Sequence, residues 1–190
     1  MTKILLTAFE PFGGETKNVS QEAAARVPET VAGVRIVKCL LPVVFGTAGE
    51  TLRAAIEWEA PDAVLCVGQA AGRTHVTPER VAINLRDARI ADNAGAMPVD
   101  EPIVPDGPAA YFSNLPVRAM IERMGQIPSA LSYSAGTFVC NDVMYTLLHL
   151  IDRRYRQMRG GFVHVPAQMP PETAARALEQ CLAAVAALYA

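Results

Sequence analysis

Cys140 lies at the start of a predicted helix, directly after a turn of small residues. The pair Ala135-Gly136 interrupts an extended segment, and glycine lets the chain turn where a Cβ would clash. Apolar residues then recur at helical spacing from Val143 to Ile151. Unpaired backbone N–H groups and the positive end of the helix dipole favour a thiolate at such a position. The pattern therefore fits a nucleophile, although a small buried side chain is the alternative.

Three histidines are candidate bases for this cysteine. His149 lies nine positions further along the same predicted helix, too far from Cys140 to touch it. His75 lies in a polar loop, where we expect it to be solvated. His164 ends the predicted strand that follows the cysteine's helix, and a right-handed crossover commonly returns the chain to the same sheet. His164 is therefore the histidine that could reach the cysteine, and a structural role within the strand is the alternative.

A cysteine–histidine pair usually needs a third group that fixes the tautomer of the imidazole. Glu79 follows a predicted strand-end loop and precedes an apolar segment, and Asp87 and Asp92 are competing acids nearby. The pattern alone does not choose among these three carboxylates. An acid next to an arginine, as Glu79 is next to Arg80, is by default a solvated ion pair.

Composition indicates one globular domain over residues 1–190. Apolar residues make up 51% of the chain and charged residues 19%, with a net charge of −2. These values give no reason to expect nucleic acid or an anionic membrane as a partner. No apolar run approaches the roughly 20 residues that span a bilayer. The first residues look like a strand rather than a signal peptide. The four cysteines form no Cys-x-x-Cys pair for zinc, and they suit a reducing cytoplasm.

Short apolar strands alternate with helices along the chain, which predicts an α/β fold. We expect a three-layer α/β/α sandwich around a mainly parallel sheet. In such sheets, functional residues lie at the carboxyl ends of the strands. Loops 9–14, 68–72, 134–140 and 164–166 are therefore expected at one edge. The predicted strands are 3–8, 34–44, 62–67, 82–89, 130–134 and 161–165. The first predicted helix is capped by Asn18 or Ser20 and ends at Arg26, the second covers 47–58 with a Thr47/Glu50 capping box, and the others cover 115–124, 140–156 and 172–188. Residues 92–113 are predicted to be a long ordered loop.

Seven short motifs occur in an order and spacing that resemble the pyroglutamyl-peptidase I, or pyrrolidone-carboxylate peptidase, family. Each motif is weak alone, but together they cover residues 3 to about 166 in register. The motifs are Phe-Glu-Pro-Phe-Gly-Gly, Leu-Pro-Val-Val-Phe, Val-Gly-Gln-Ala-x-Gly-Arg, Glu-Arg-Val-Ala-Ile-Asn with Asp-Ala-Arg-Ile, Gly-Pro-Ala-Ala-Tyr-Phe-Ser-Asn-Leu-Pro, Ser-Ala-Gly-Thr-Phe-Val-Cys-Asn and Gly-Phe-Val-His-Val-Pro.

The resemblance implies a cytosolic cysteine peptidase that removes an N-terminal pyroglutamyl residue from peptides. It implies an α/β sandwich, a homotetramer or homodimer, and no metal or cofactor. The family nucleophile falls on Cys140, the general base on His164 and the orienting acid on Glu79. Resemblance, rather than pattern, is what selects Glu79 over the two aspartates. The reaction would pass through an acyl-enzyme on the cysteine.

The substrate implied by the resemblance also suggests pocket residues. A pyroglutamyl group is a small, flat, uncharged lactam, so its site needs apolar walls and one hydrogen-bonding pair. Phe9 and Phe12 suit the walls, and Phe138 would close the far side. The loop of Gln69 resembles the one that pairs with the lactam, through main-chain atoms, and Arg89 is expected to support the oxyanion. Core packing is the alternative for each phenylalanine.

Three departures from the family pattern accompany the resemblance. Val19 and Ala91 stand where the family usually has proline, which removes loop stiffening. The segment 167–171 leads almost directly into the last helix, where the family usually has a longer loop near its site. That shortening motivates an alternative function, a binder of pyroglutamyl groups or other small amides that has lost turnover. A nucleoside hydrolase or phosphorylase on a related sandwich is a further alternative, but loop 68–72 has poor spacing for a phosphate site.

Overall fold

A computed structural model describes residues 2–190 of the chain. Four of its strands run parallel and form the centre of one six-stranded sheet. The strands are β1 Lys3–Phe9, β2 Thr30–Val31, β3 Val34–Leu41, β4 Ala63–Ala70, β5 Thr77–Pro78, β6 Val81–Ile83, β7 Ala110–Phe112 and β8 Arg159–Pro166. The sheet order is β2-β3-β1-β4-β8-β5, with short β2 and β5 as antiparallel edges. Strands β6 and β7 form a separate antiparallel pair.

In the described part of the chain, residues 2–190, five helices cover the two faces of the sheet. They are α1 Val19–Arg26, α2 Thr47–Glu59, α3 Val117–Met124, α4 Val139–Arg153 and α5 Pro171–Ala186. Helices α1, α3 and α5 pack over one apolar cluster, and α2 and α4 pack over the other. Along β1, Ile4 and Leu6 enter the first cluster while Leu5 enters the second, as the alternation of strand side chains requires. The predicted three-layer α/β/α sandwich is therefore confirmed.

The starts of α1 and α2 are built differently. Asn18 is the N-cap of α1, and its Oδ1 accepts a hydrogen bond of 2.9 Å from the N–H of Ser20. The capping box predicted for α2 is wrong, because Gly46 is the N-cap and Thr47 is already helical. Gly46 has a φ of +72°, and its N–H donates instead to the carboxylate of Asp142 at 3.0 Å.

Two of the predicted strands are wrong in extent. The segment predicted as 82–89 is a strand only over Val81–Ile83. Residues 130–134 form no regular strand, and their neighbourhood makes isolated bridges from Ser129 to Val76 and from Ser132 to Glu79. Pro78 lacks a backbone N–H, which interrupts any ladder along this segment. The turn before Cys140 therefore follows an extended segment beside residues 76–80, not a strand of the main sheet.

Two connections outside the main sheet differ in length, a long one between β6 and β7 and a short one between β8 and α5. Residues 92–109 are irregular, and the end of the predicted long loop pairs as β7 with β6. The connection from β8 to α5 is short and is tied to the end of β4 by a hydrogen bond from the N–H of Ala167 to the oxygen of Ala70. Within residues 2–190, none of the helices combines the length and apolar character that a bilayer crossing requires.

The carboxyl ends of β1, β4 and β8 lie at the same edge because these strands are parallel. A cleft of about 880 Å³ opens there. Its lining takes residues from all four of the loops that were predicted to share this edge, including Phe12, Gln69, Gly136 and His164. The fold therefore assembles the candidate site from distant parts of the chain.

Candidate active site

Glu79 and His164 form a buried hydrogen-bonded pair. Glu79 comes directly after β5, and β5 pairs with β8 so that Thr77 lies opposite His164. The Nδ1 atom of His164 is 2.7 Å from Oε1 of Glu79, whose side chain is fully buried. Because a carboxylate can only accept, Nδ1 carries the hydrogen and donates it. The pair therefore leaves Nε2 as the basic nitrogen of the imidazole.

Cys140 lies on the same face of the sheet as His164. A β-carbon added at Gly68 would be 2.8 Å from the Cys140 sulfur, which places that sulfur directly over β4. Gly68 is the ladder partner of His164 on the adjacent strand. Phe162, two residues before His164, packs in the apolar cluster beneath α4, so both side chains project from that face. Since adjacent strands are about 4.8 Å apart, the sulfur and the imidazole are neighbours in one cleft.

The turn before Cys140 is held by hydrogen bonds rather than by a sheet. Gly136 has a φ of +79°, a conformation that favours glycine. Oγ1 of Thr137 donates to the Asp87 carbonyl at 2.7 Å, and the Asp87 N–H donates to the Thr137 carbonyl at 3.1 Å. Helix α4 then begins after Phe138 without a side-chain cap. The N–H of Asp142 donates to the Phe138 carbonyl at 3.1 Å, so the N–H groups that precede the first intrahelical hydrogen bond are those of residues 139–141, beside the cysteine.

Burial governs the protonation of the cysteine and the histidine. It raises the pKa of the Cys140 thiol to about 12, and the nearby Glu79 charge acts in the same direction. Burial also lowers the pKa of His164, more than the hydrogen bond to Glu79 raises it. Both shifts favour the uncharged form, a thiol at Cys140 and a neutral imidazole at His164. The shift of the Cys140 pKa is opposite to the expectation that the helix start favours a thiolate, because desolvation disfavours the charged form.

The aromatic residues predicted for the pocket divide into two groups. The ring centroids of Phe12 and Phe138 are 6.1 Å apart, and both side chains line the cleft. Phe9 is only 2% exposed and packs against Phe162, so it reaches only a narrow slot behind the cleft. Phe45, which was not predicted, supports Phe138 edge-on at a centroid distance of 5.2 Å. Its presence in the Leu-Pro-Val-Val-Phe motif was the available signal.

Gln69 contributes its side chain and its backbone to different tasks. Its Oε1 accepts a hydrogen bond of 2.8 Å from the N–H of Val19 and so anchors the start of α1. Strand β1 pairs with β4 only as far as Thr7 opposite Cys66. The edge of β4 at Gln69 that faces loop 9–14 therefore has no strand partner. Main-chain atoms on that edge therefore have no ladder partner, and Gln69 lines the cleft.

Of the other residues considered for the site from the sequence, some line the cleft and some do not. Arg89 is exposed and lines the cleft. Asp87 also lines it, but Asp92 does not, because its carboxylate accepts hydrogen bonds from the N–H groups of Phe45, Ala94 and Ala96. His75 is exposed. The remaining histidine, His149, hydrogen-bonds the hydroxyl of Tyr111 at 2.9 Å on the outer side of α4.

Two charged side chains near the site were not predicted from the sequence. Arg73 donates hydrogen bonds to Oε1 of Glu79 and, at 2.8 Å, to the carbonyl of Ser134. Asp142 is fully buried in the first turn of α4 and forms a 2.7 Å ion pair with Arg86. Arg73 ends the Val-Gly-Gln-Ala-x-Gly-Arg motif, and Asp142 is an acidic residue in the first turn of α4. The sequence therefore shows that both charged residues are present, but it gives no signal for the residues that they contact.

A second cavity, of about 480 Å³, lies between the carboxyl ends of α2 and α4. Neither cysteine nor histidine lines it. Within residues 2–190, no group of three or more histidine, cysteine or acidic side chains is arranged to hold a metal ion.

The main cleft defines a class of protein. A cysteine beside an imidazole that is oriented by a buried carboxylate is the arrangement typical of cysteine peptidases.

Comparisons with known proteins agree with that class. The sequence profile of the family described as pyroglutamyl peptidase matches residues 2–186. The chain therefore belongs to the pyroglutamyl peptidase family, a family of peptidases and hence of hydrolases. It is 55% identical over 173 residues to the pyrrolidone-carboxylate peptidase of Enterococcus faecalis, covering 90% of this chain and 81% of that protein. It is 52% identical over 200 aligned positions to the one from Streptomyces coelicolor, covering 98% and 93%.

Solved structures share the whole fold. The pyroglutamyl peptidase I of Bacillus amyloliquefaciens superimposes with a TM-score of 0.96 at 43% identity, covering 98% of each chain. A mutant pyrrolidone carboxyl peptidase from Pyrococcus furiosus superimposes with a TM-score of 0.95 at 35% identity, covering all of both chains. The architecture is thus that of pyroglutamyl peptidases from end to end.

Proposed function

We propose that this protein removes an N-terminal pyroglutamyl residue from peptides, with Cys140 as nucleophile, His164 as general base and acid, and Glu79 as the group that orients the imidazole. One observation carries the assignment. The buried hydrogen bond between His164 and Glu79 lies beside a cysteine whose sulfur rests against Gly68, the ladder partner of His164. The names of the relatives, pyrrolidone-carboxylate peptidase and pyroglutamyl peptidase I, support the choice of substrate.

The first half of the reaction forms the acyl-enzyme. Nε2 of His164 accepts the proton of the Cys140 thiol while the sulfur attacks the pyroglutamyl carbonyl carbon. The negative charge of the resulting oxyanion is stabilised by N–H groups at the start of α4, with Arg89 in support. The C–N bond then breaks, and the imidazolium gives its proton to the leaving amine. Glu79 stabilises the imidazolium while it exists.

The second half releases the product. His164, neutral again, removes a proton from a water molecule that attacks the thioester carbonyl. When the second tetrahedral intermediate collapses, the C–S bond breaks and the sulfur regains its proton from His164. Pyroglutamate and free Cys140 result. No step in this sequence requires a metal or an organic cofactor.

The cleft has the properties that a lactam ring requires. Phe12 and Phe138 supply apolar walls that fit a flat, uncharged ring. Main-chain atoms at Gln69 supply the hydrogen-bonding pair that reads the lactam N–H and C=O. A prolyl peptide lacks that lactam carbonyl and would leave its partner unpaired, so we expect it to be a poor substrate.

The proposal extends to assembly and location. Among the exposed apolar side chains, Leu40 (41% exposed) and Phe112 (67% exposed) are candidates for an interface between copies of the chain. We expect a homodimer or homotetramer, which light scattering on the eluting peak of a size-exclusion column would measure. A cytoplasmic location suits an enzyme whose nucleophile must stay reduced.

The direct test is release of a reporter amine from a pyroglutamyl amide. We expect wild type to turn over, and Cys140→Ala and Cys140→Ser to lose at least about 10³-fold in kcat/KM. Cys39→Ala is the matched control, because Cys39 is a half-buried cysteine outside the cleft. Turnover that survives Cys140→Ala would refute the mechanism. Tight binding of a pyroglutamyl peptide without turnover by wild type would instead indicate a binder on this fold.

A further inference from the structure

Arg73 connects the acid of the site to the turn that carries the cysteine. It lies between β4 and β5, and its Nη1 donates hydrogen bonds to Oε1 of Glu79 and to the hydroxyl of Thr77. Its Nη2 donates to the carbonyl of Ser134 at 2.8 Å, two residues before Gly136. One guanidinium therefore contacts both the buried carboxylate and the segment leading into α4.

The guanidinium also compensates a charge that has little other support. Glu79 is fully buried, and its Oε1 accepts from both His164 and Arg73. Its other oxygen, Oε2, is buried and accepts no hydrogen bond from residues 2–190. A buried carboxylate without a charged partner is strongly disfavoured. The Arg73 side chain, 28% exposed, brings that positive charge in from the wall of the cleft.

The same charge acts on the imidazole. The charged and titratable groups around His164 are Glu79 and Arg73 from the β5 side, Cys140 from α4, and Asp87 and Arg89 on the cleft wall. Glu79 favours the imidazolium, whereas the positive charge of Arg73 disfavours it and so lowers the pKa of His164. Arg73 lowers the pKa of Cys140 as well, because a nearby cation favours the thiolate.

We propose that Arg73 is a positioning residue of this site: through its hydrogen bonds to Glu79 and Ser134 it holds the ionised carboxylate against His164 and ties it to the turn that carries Cys140. This inference rests on the proposed function, since it assigns Arg73 to the same reaction. Arg73 acts through Glu79 and the turn, and it takes no proton and forms no bond to the substrate in this scheme.

Two substitutions separate its charge from its geometry. Arg73→Met keeps much of the apolar stem and removes the charge. Arg73→Lys keeps the charge but replaces the planar fork, so it cannot hold Glu79 and Ser134 in the same way. Arg80→Met is the matched control. Arg80 follows Glu79 directly, but its guanidinium bonds the carbonyl of Ser113 and lies 5.2 Å from the centre of the Phe112 ring, away from the cleft.

The first measurement is the pH profile of kcat/KM on a pyroglutamyl reporter amide. We expect Arg73→Met to lose about 10-fold to 100-fold in kcat/KM, because hydrogen bonds to a charged group are lost. Its acid limb should move to higher pH by about one unit, since the imidazolium is no longer opposed by a cation. Arg73→Lys should also be slower but should keep the wild-type acid limb. Arg80→Met should match wild type in both respects.

The second measurement follows the histidine without relying on turnover. The chain has three histidines, so an NMR titration of their Cε1–H signals, with His164 assigned by its loss in His164→Asn, reports the imidazole directly. We expect the His164 titration to move up in Arg73→Met and to stay in Arg80→Met. Should Arg73→Met fail to fold, Arg73→Gln, which keeps neutral donors, gives the same comparison.

The outcomes distinguish this inference from the function on which it rests. A wild-type protein without pyroglutamyl peptidase activity would refute the proposed function, while the NMR titration would still measure the effect of Arg73 on His164. An active wild type in which the neutral Arg73 variant keeps both the His164 titration and the acid limb would refute the role of Arg73. A loss of thermal stability with both of those readouts unchanged would reduce Arg73 to a structural residue, which also contradicts the proposal.

Discussion

The sulfur of Cys140 lies where a side chain on Gly68 would have to be. A β-carbon at Gly68 would be 2.8 Å from Sγ of Cys140 and 2.8 Å from Cζ of Phe162. The absence of a side chain at this one strand position therefore lets α4 bring its cysteine down onto the sheet beside His164. The same contact therefore affects both the packing of the core and the position of the nucleophile in the cleft.

Gly68→Ala should accordingly impair both catalysis and folding. The added methyl group has to push the cysteine or the Phe162 ring aside, at a cost of about 1–3 kcal/mol in the free energy of unfolding. A displacement of the nucleophile by about 1 Å is expected to lower kcat/KM about 10²-fold. Steady-state kinetics together with urea denaturation would measure both effects.

Gly160→Ala is the control for this prediction. A β-carbon at Gly160 would be 2.5 Å from Cδ1 of Ile151, at the opposite end of β8 from the cleft. It should therefore lower the free energy of unfolding and leave kcat/KM close to wild type. Equal kinetic losses in the two variants would show that overpacking, rather than the position of the sulfur, controls turnover.

Glu79→Gln should impair His164 as a base without leaving a cavity where the Glu79 side chain was. The amide fills the same volume, but its NH₂ group can face Nδ1 of His164 and favour the wrong tautomer. We expect kcat to fall about 10³-fold to 10⁴-fold, as for loss of the orienting acid in comparable triads. Asp92→Asn, which changes a carboxylate that only binds loop N–H groups, should keep wild-type kcat in the folded fraction. A Glu79→Gln enzyme within 10-fold of wild type would remove Glu79 from the mechanism.

The pH dependence follows from the directions of the two pKa shifts. His164 must be neutral to accept the thiol proton, and burial lowers its pKa from the ordinary 6.5. The acid limb of kcat/KM should therefore lie below pH 6.5. The pKa of Cys140, raised to about 12, predicts that alkylation by iodoacetamide keeps accelerating with pH and reaches no plateau below about pH 9. An alkylation plateau that is already complete at pH 7 would instead indicate a preformed thiolate.

Asp142 is predicted to stabilise the start of the cysteine's helix. Its carboxylate receives the N–H of Gly46 at 3.0 Å and pairs with Arg86, so Asp142→Ala leaves both donors without their buried partner. The free energy of unfolding should fall by about 3–5 kcal/mol. Asp152→Ala, on the exposed part of the same helix, removes a surface pair with Arg153 and a long hydrogen bond of 3.4 Å from the Tyr111 hydroxyl, and should cost less than about 1 kcal/mol. Equal losses in a denaturation experiment would contradict the role given to Asp142.

Much of the fold was visible in the sequence because its signals are local. The apolar run of β4 and the cap at Asn18 depend on neighbouring residues, and both appear as expected. The edge that gathers the cleft follows from the parallel strand order. By contrast, residues 130–134 have the composition of a strand, but Pro78 opposite them lacks the N–H that a continuous ladder needs.

The site was less predictable where partners are distant in the chain. The sequence pattern left Glu79, Asp87 and Asp92 open, and the family resemblance selected Glu79. The structure pairs Glu79 with His164 through an antiparallel edge strand of two residues, which is too short to leave a periodic signal. The contact from Arg73 to Ser134 spans two loops and has no local signature either. Protonation depends on desolvation by the whole fold, so the neutral cysteine was not predictable from its helix position.

In the proposed reaction, the pyroglutamyl carbonyl becomes bonded to the Cys140 sulfur. The most direct measurement mixes the enzyme with a pyroglutamyl aryl ester, quenches it in acid at early times, and locates any added group by mass spectrometry. We expect a pyroglutamyl thioester on the peptide that contains Cys140, absent from Cys140→Ala. Turnover of the ester and the amide by Cys140→Ala, with Cys140 unmodified in wild type, would contradict it.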